Sequence, residues 1–415
     1  MGVRSCMLKQ KKVASFMPWM IWALAAFFFF AHYVVRVTPG QIIDDLHAAF
    51  VNTNNYDIGI LGASFYFPYI LMQMPIGYLV DRFGSRLLLT LAVLICSLSC
   101  FLFGQATSFD AAIFSRVLLG FCSATAFIGA LKLITVWFPP AKLALLVGIT
   151  QALGMLGASF GNGIVPHINH AIGWHYTFYL YAAIFLVLSV FIFGIVRNHP
   201  DDHHNIKFES HHSHTTLSQV IQVLKNKYTW INALYAGFVY APTDSMGELW
   251  GQEFIRHIHH TDPYTASYAI SLLFVGWAIG GPIAGYLADR FGRRPIMIYS
   301  ALMGLIILPL IFYVPHLPLS LMMALLFFYG LTNTGLIASY AAAGELHARK
   351  NAGFSMAIAN MFSVLLGAVL MPILGKLLDW TDYQRASLVL PVCMVLALIF
   401  AFFVKETLPQ EERKR

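Results

Sequence analysis

Long runs of apolar residues, separated by short polar stretches, follow one another along almost the whole chain. A helix needs about 20 mostly apolar residues to cross a bilayer. The runs are continuous rather than alternating, so the pattern predicts helices and not the strands of a barrel. Twelve spans are predicted, and we number them in chain order: residues 17–43, 56–80, 86–105, 111–136, 143–166, 174–196, 228–252, 264–288, 295–314, 319–341, 352–378 and 384–404.

One long polar stretch, residues 197–227, divides the spans into two groups of six. It shows no helical period and is rich in histidine, so we expect a cytoplasmic linker. The linker would join an N-terminal bundle of residues 1–196 to a C-terminal bundle of residues 228–415. A solvated linker is the favoured interpretation, and metal binding is the weaker one. The histidines considered for a metal are His203, His204, His211 and His212.

Composition agrees with a membrane protein, because 58% of the 415 residues are hydrophobic and only 11% are charged. Basic residues concentrate in the tails and the even-numbered loops, which predicts that both termini lie in the cytoplasm. The basic charge is scattered over these loops rather than gathered on one domain, so we expect no nucleic-acid partner. The compact loops favour a bacterial inner membrane as the location.

A ten-residue pattern, Gly-x-Leu-x-Asp-Arg-x-Gly-x-Arg, follows the second span of each half, at residues 77–86 and 285–294. It resembles the signature loop of the major facilitator superfamily, in particular its organic-anion and sugar-phosphate permeases. The resemblance covers the whole chain and implies an all-α membrane fold of two pseudo-symmetric six-helix bundles. It also implies a conformational latch, formed by Gly77, Asp81, Arg82, Gly84, Arg86, Gly285, Asp289, Arg290, Gly292 and Arg293, with Arg116 of an Arg-x-x-x-Gly motif in span 4.

Charged residues inside the spans indicate where a solute would pass, because a charge in the bilayer centre costs at least about 2.5–3.5 kcal/mol. Arg36 lies late in span 1, either in the central cavity, as in the organic-anion members of the superfamily, or at the outer interface. Lys132 in span 4 either faces the cavity or extends to the cytoplasmic surface. Asp244 and Glu248 share one face of span 7 and are the predicted proton carriers.

Polar and aromatic residues near these charges complete the predicted substrate site, although each alone could equally be a packing or interhelical contact. They are Tyr33, Tyr66, Tyr69, Gln73, Gln151, Tyr240, Asn333 and Asn360. The sequence has no Walker-type phosphate loop, and its five cysteines match no metal or redox motif. We therefore expect no cofactor and no enzyme activity.

Together these features predict a secondary active transporter that moves a small organic solute by alternating access. Arg36 favours a carboxylate-bearing or zwitterionic solute, for example an amino acid, a short peptide, a dicarboxylate or a carboxylate siderophore. Proton-coupled import is the leading direction, and the resemblance implies a monomer. Two alternatives stay open: proton-driven efflux of drugs or metabolites, and a membrane sensor that binds a solute without moving it.

Overall fold

The structure is a computed structural model that describes residues 16–199, 217–347 and 351–408. Within these ranges every regular element is a helix, and the helices follow the order of the twelve predicted spans. Ten of the helices found there are long and apolar enough to cross a membrane, and interrupted helices at spans 2 and 7 complete the set. The predicted all-α membrane fold is therefore confirmed.

Most spans form one main helix each. These are span 1 (Met17–Val37), span 3 (Ser85–Gly104), span 4 (Phe109–Trp137), span 5 (Pro140–Gly163), span 6 (Trp174–Ile195), span 8 (Pro263–Phe291), span 9 (Arg293–Tyr313), span 11 (Ala352–Trp380) and span 12 (Val389–Phe403). Short helices lie between the spans, at Thr38–Gln41, Ile43–Ala49, Val165–Ile172, Leu217–Lys225 and Tyr383–Ala386. The N-terminal half comprises spans 1–6, and the C-terminal half comprises spans 7–12.

Spans 2, 7 and 10 are each interrupted partway along their length. Span 2 consists of Asn55–Ser64 and Tyr66–Phe83, and span 10 consists of Leu319–Thr332 and Gly335–Glu345. Span 7 runs through Lys227–Ser245, a π-helical turn at Met246–Trp250, and Gly251–His259. Irregular backbone is tolerated at membrane depth only where protein or a water-filled cavity covers it. The three interruptions therefore indicate that these parts of spans 2, 7 and 10 face the interior between the two halves and not lipid.

Proline and a neighbouring side chain account for these interruptions. Pro68 has no N–H to donate to the carbonyl of Ser64, which is the last residue of the first segment of span 2. Pro242 removes the same kind of bond just before the π-helical turn of span 7. In span 10, the backbone N–H of Gly335 donates to Ser300 Oγ of span 9 at 3.0 Å. That bond satisfies a donor that the broken helix leaves free.

The two copies of the repeated loop form matching tight turns. Gly84 joins spans 2 and 3 with φ 84°, and Gly292 joins spans 8 and 9 with φ 107°. Such backbone angles strongly favour glycine, which explains why glycine recurs there. Asn198, just after span 6, accepts from the backbone N–H of Arg86 at 3.0 Å. Glu406, just after span 12, accepts from the N–H of Arg293 at 3.0 Å, so each half caps its own turn.

The predicted linker is partly wrong, because Leu217–Lys225 forms a helix where we expected no helical period. Its apolar residues recur every three or four positions, and the helix is strongly amphipathic. Val223 is fully buried against Ala233 and Ile358 of the C-terminal half. The four histidines considered for a metal lie outside the described residues.

The two halves meet mainly through span 2 against span 11 and span 5 against span 8. Span 1 begins at Met17 and span 12 ends at Phe403, both on the same surface of the bundle, which we call the terminal face. The opposite surface is the far face. At the far face, Gly59 packs on Pro372 and Gly375 packs on Asn55 so closely that neither glycine has room for a Cβ atom. The halves are thus in direct contact at the far face.

Candidate binding site between the two halves

Arg36 stands at the centre of the contact between the halves. Its side chain is only 3% exposed, and its partners come from both sides. Nε donates to Glu248 Oε2 at 2.8 Å, and Nη2 lies 2.5 Å from Glu248 Oε1 and 3.3 Å from Asp244 Oδ1. Within the N-terminal half, Nη2 donates to the hydroxyl of Tyr66 at 3.1 Å. One guanidinium therefore binds two carboxylates of the other half.

The local structure of span 7 brings both carboxylates to Arg36. Asp244 is in the last turn before the π-helical segment, and Glu248 lies inside that segment. Gly367 of span 11 makes the room for Asp244, because a Cβ atom there would lie 2.6 Å from Asp244 Oδ2. Asp244 Oδ2 and Glu248 Oε1 each have no hydrogen-bond partner among the described residues, although Glu248 Oε1 lies 2.5 Å from Arg36 Nη2. Both acids therefore make one hydrogen bond to Arg36, and Glu248 lies closer to it than Asp244 does.

Aromatic rings enclose the guanidinium of Arg36. Its central carbon lies 4.9 Å from the ring centre of Tyr33, 4.8 Å from that of Tyr66 and 5.6 Å from that of Phe65. Such ring faces attract a cation and exclude water from it. The ion pairs of Arg36 consequently lie in a dry environment, where they are stronger than at a surface.

Arg116, which the sequence placed with the latch, lies instead next to Arg36. Its side chain is buried, and Nη2 donates to the backbone carbonyl of Arg36 at 3.4 Å. The Nε and Nη1 atoms have no hydrogen-bond partner in the part of the chain described. Its guanidinium lies 5.2 Å from the Phe65 ring. The site thus contains two buried arginines and two buried carboxylates.

A chain of neutral polar groups lies between Arg36 and the terminal face. Tyr340 donates to Asn360 Oδ1, and Asn360 Nδ2 donates to Gln73 Oε1, both at 2.7 Å. The Asn360–Gln73 bond crosses between the halves, and Gln73 Nε2 has no partner among the described residues. Gln73 and Asn360 are partly exposed, whereas Arg36 and its two carboxylates are buried. Access to the site is therefore better from the terminal face than from the far face.

The other predicted site residues lie around this centre at different depths. Tyr69 stacks on Phe65, and Gln151 is partly exposed in the middle of span 5. Tyr240 packs edge-on against Trp277 with ring centres 6.1 Å apart. Asn333 is fully buried in the interruption of span 10, where Thr243 Oγ1 donates to it at 3.3 Å. Asn333 therefore supports the packing of span 10 against span 7.

The predicted position of Lys132 in the substrate site is wrong, because the residue lies at the terminal face and not beside Arg36. Its Nζ is 2.6 Å from Oδ1 of Asp81, and its side chain is 38% exposed. The alternative that the lysine extends to the surface agrees with this position. Asp81, which the sequence assigned to the latch, thus pairs with span 4 of its own half.

The remaining latch residues make contacts at the terminal face. In the C-terminal half, Arg293 is bonded to Asp289 and, through Nη2 at 2.7 Å, to Glu345. In the N-terminal half, Arg86 Nε donates to the carbonyl of Phe193 at 2.9 Å. Arg82 and Arg290 each donate to a tyrosine hydroxyl one helical turn earlier. Gly77 and Gly285 lie within helices, where a Cβ atom would meet no close neighbour.

Sequence reasoning missed the polar contacts that close the far face. Gln41 Nε2 donates to Asn162 Oδ1 at 2.7 Å, and Asn162 Nδ2 donates to the carbonyl of Gly247 at 3.0 Å. Ser267 Oγ lies 2.6 Å from both Gln41 Oε1 and Gln252 Oε1. Neutral amides and hydroxyls do not stand out in an apolar sequence as charges do. Only the folded chain shows that they join the halves.

Charged groups add to the closure at the same face. Arg256 lies beyond residue 252, where the membrane part of span 7 is predicted to end. Its Nη1 is 2.5 Å from Asp44 Oδ2, and this hydrogen bond raises the pKa of Arg256 above its usual range. The carboxylate of Asp379 in span 11 accepts from the backbone N–H groups of Asn55 and Tyr56 at 3.0 and 3.2 Å, and thereby caps the first turn of span 2. Both contacts connect one half with the other.

Comparisons with known proteins agree with this architecture. A family model described as "Major Facilitator Superfamily" matches residues 19–254 and 249–415. The "Uncharacterized transporter YybO" of Bacillus subtilis (strain 168) is 23% identical over 406 residues, which cover 91% of this chain and 90% of that protein. The "Probable galactarate/D-glucarate transporter GarP" of Escherichia coli (strain K12) is 28% identical over 158 residues, covering 37% of this chain and 35% of that protein.

A solved structure supports the same fold. The chain superposes with a TM-score of 0.77 and 17% identity on a bacterial homologue of the human lysosomal transporter Spinster, described as inward-facing and unoccupied. The match covers 95% of this chain and 97% of the other one. At this identity the likeness establishes the fold alone.

Proposed function

The chain belongs to the Major Facilitator Superfamily, and from this we propose that it carries a small organic anion across the membrane by alternating access. It is a membrane transporter and not an enzyme. The anion bears at least one carboxylate, and Arg36 is the group that binds it. The other parts of the proposal follow from the surroundings of Arg36.

One observation carries the proposal: Arg36 of one half is ion-paired with Asp244 and Glu248 of the other half. A guanidinium binds a carboxylate through two parallel hydrogen bonds, so a substrate carboxylate competes directly with these two acids. Displacing either acid weakens a contact that joins the halves. Substrate binding is thereby coupled to the relative movement of the two bundles.

Asp244 is the proposed proton carrier. Its nearest oxygen lies 3.3 Å from Arg36, whereas the two Glu248 oxygens lie closer, at 2.8 and 2.5 Å. When a substrate takes over Arg36, the released Asp244 is left buried without a cation, and protonation removes the cost of that charge. An anion and a proton would then cross together. Inward movement with the proton gradient is the direction that we propose.

The neutral part of the substrate would lie toward the terminal face. Gln73 Nε2 has N–H donors without a partner among the described residues, and Asn360 and Tyr340 are partly exposed beside it. These groups suit hydroxyl-bearing carbon chains, and the name of the partial relative GarP, a probable galactarate/D-glucarate transporter, supports sugar acids over amino acids or peptides. The terminal face would be cytoplasmic and the membrane a bacterial inner membrane, with the chain acting as a monomer.

Uptake into proteoliposomes tests the proposal. We expect D-glucarate or galactarate to accumulate under an inward proton gradient, with Arg36→Ala removing uptake and Asp244→Asn removing its dependence on the gradient. Arg385→Ala is the matched control, because Arg385 is an exposed arginine near the far face, and its ion pair in the described part of the chain is the local one with Asp382. Full uptake by Arg36→Ala, or uptake of hydrophobic cations alone, would contradict the proposal.

A further inference from the structure

A groove on the outer surface of the helix bundle lies where the two halves meet. The groove is open along one side, has a volume of about 540 Å³, and is lined by residues of span 2, by Val117 of span 4 and by Pro372 of span 11. Its volume is in the range of pockets that hold small molecules. The span 2 residues that line it are Tyr56, Ile60, Ala63, Ser64, Phe67, Pro68 and Leu71. The interruption of span 2 lies within this stretch.

The lining of the groove is apolar in character. Ser64 is its one hydroxyl besides that of Tyr56, and Ser64 Oγ already donates to the carbonyl of Leu61 at 2.7 Å. Phe67 and Leu71 are strongly exposed, which in a membrane span means that they face lipid. From Tyr56 to Leu71 the groove follows roughly 22 Å of helix, more than half of a bilayer core of about 30 Å. These dimensions suit an acyl chain.

Lys376 is a cation at the far-face end of the groove. Lys376 lies one helical turn beyond Pro372 on the same face of span 11. Its Nζ is 5.6 Å from the ring centre of Tyr56, which lines the groove, and 4.8 Å from that of the exposed Trp380. Among the described residues, Lys376 has no carboxylate within salt-bridge distance, because the adjacent Asp379 caps span 2. Tyrosine and tryptophan are typical of the headgroup level of a membrane.

We propose that this groove binds one anionic phospholipid, with an acyl chain between spans 2, 4 and 11 and its phosphate at Lys376. The groove has walls from both halves, so the lipid contacts both of them in the conformation closed at the far face. Separation of Gly59 from Pro372 would open the groove and release the chain. A bound lipid therefore stabilises the closed conformation by its binding free energy.

Native mass spectrometry of the full-length protein in detergent tests this inference with two lipids that have identical acyl chains, palmitoyl-oleoyl phosphatidylglycerol and palmitoyl-oleoyl phosphatidylcholine. We expect the wild type to retain the first phosphatidylglycerol molecule preferentially. Lys376→Gln should weaken that retention roughly fivefold, since a basic residue near anionic lipid contributes about 1 kcal/mol. Lys376→Arg keeps the positive charge and should retain phosphatidylglycerol as the wild type does. Arg385→Gln, which changes an exposed cation near the same face, should leave it unchanged.

A second variant tests the groove independently of the charge. Val117→Trp places a large ring into the groove wall and should reduce retention of both lipids at the first site. Equal retention of the two lipids by the wild type, or unchanged phosphatidylglycerol retention in Lys376→Gln, would overturn the proposal. Unchanged retention in Val117→Trp would place the lipid elsewhere and overturn it as well. None of these measurements depends on the transported substrate.

Discussion

At the scale of single residues, the pairing of Arg36 with two acids is uneven. The two Glu248 oxygens lie 2.8 and 2.5 Å from Arg36, while the nearest Asp244 oxygen lies 3.3 Å away. Each acid leaves one oxygen without a hydrogen-bond partner among the described residues. Breaking a buried ion pair by removing one partner is strongly destabilising, because the remaining charge is left without compensation. The two acids should therefore differ in what they contribute to stability.

Glu248→Gln should destabilise the protein by about 1–2 kcal/mol more than Asp244→Asn, because it weakens the stronger of the two contacts. Thermal unfolding of the two variants in the same detergent measures the difference. Each substitution keeps the size of its side chain, so the two serve as controls for each other. Equal melting temperatures would contradict the difference and show that the two acids contribute equally, and a lower one for Asp244→Asn would make Asp244 the main partner of Arg36.

The sequence was informative about residues that stand out chemically from their surroundings. Arg36, Asp244 and Glu248 are charges in apolar runs, and the structure brings these three together. The position of Lys132 could not be assigned from the sequence, because a difference of one helical turn along span 4 decides whether its side chain faces the cavity or reaches the surface. Trp277, whose buried Nε1 has no partner among the described residues, carries no such signal in an aromatic-rich sequence. Its position depends on packing between spans.

At the scale of elements, the tight turns between spans depend on glycines in different ways. Gly84 has φ 84° and ψ 152°, a region that side chains with a Cβ atom rarely adopt, and such a Cβ would also contact Asn198. Gly77 belongs to the same ten-residue motif but lies in a regular helix with open space around it. One motif therefore contains a glycine that the turn requires and one that the helix does not.

Gly84→Ala should destabilise the protein by about 1–3 kcal/mol, the usual cost of holding a residue in a glycine-only conformation. Gly77→Ala should be neutral or should stabilise it by up to about 1 kcal/mol, because alanine favours a helix interior. Chemical or thermal unfolding of the two variants provides the comparison. A larger loss of stability for Gly77→Ala would mean that its role involves a contact made in another conformation.

Element boundaries were predictable where apolar runs end at glycine, proline or charge, as for span 6, predicted at 174–196 and observed at Trp174–Ile195. The helix at Leu217–Lys225 was missed because it is short and most of the surrounding loop is polar. The interruptions of spans 7 and 10 were not predicted either. Their backbone is stabilised by partners from other spans, such as Ser300 beside Gly335, and a local pattern does not contain those partners.

At the scale of the whole molecule, closure of the far face rests on a small number of contacts between the halves. The carboxylate of Asp379 is one of them, because it binds two backbone N–H groups at the start of span 2. Close glycine contacts on both sides, at Gly59 and Gly375, keep spans 2 and 11 at the distance that this bond requires. Opening toward the far face must break the bond.

Asp379→Ala should shift the population toward the form open at the far face by about 1–2 kcal/mol, or roughly five- to thirtyfold. A cysteine at Leu249, which is buried between the halves against Gly62, reports this opening through its rate of labelling by a membrane-impermeant maleimide. Asp382→Ala is the control, since the contacts of its carboxylate in the described part of the chain are local ones with Arg385. Equal labelling rates in the Asp379→Ala and Asp382→Ala variants would show that Asp379 does not contribute to closure of the far face.

The four buried charges of the binding site also bear on how the protein responds to the membrane potential. Arg36 and Arg116 contribute two positive charges, and Asp244 and Glu248 contribute two negative ones, so the ionised set is neutral. Moving one elementary charge through 100 mV involves about 2.3 kcal/mol, but a neutral set crosses no net charge when the empty carrier reorients. A monoanion that enters with one proton keeps that balance, and a dianion such as D-glucarate keeps it only when two protons enter with it. Transport in either stoichiometry would be electroneutral, whereas a dianion that enters with one proton would carry one net negative charge.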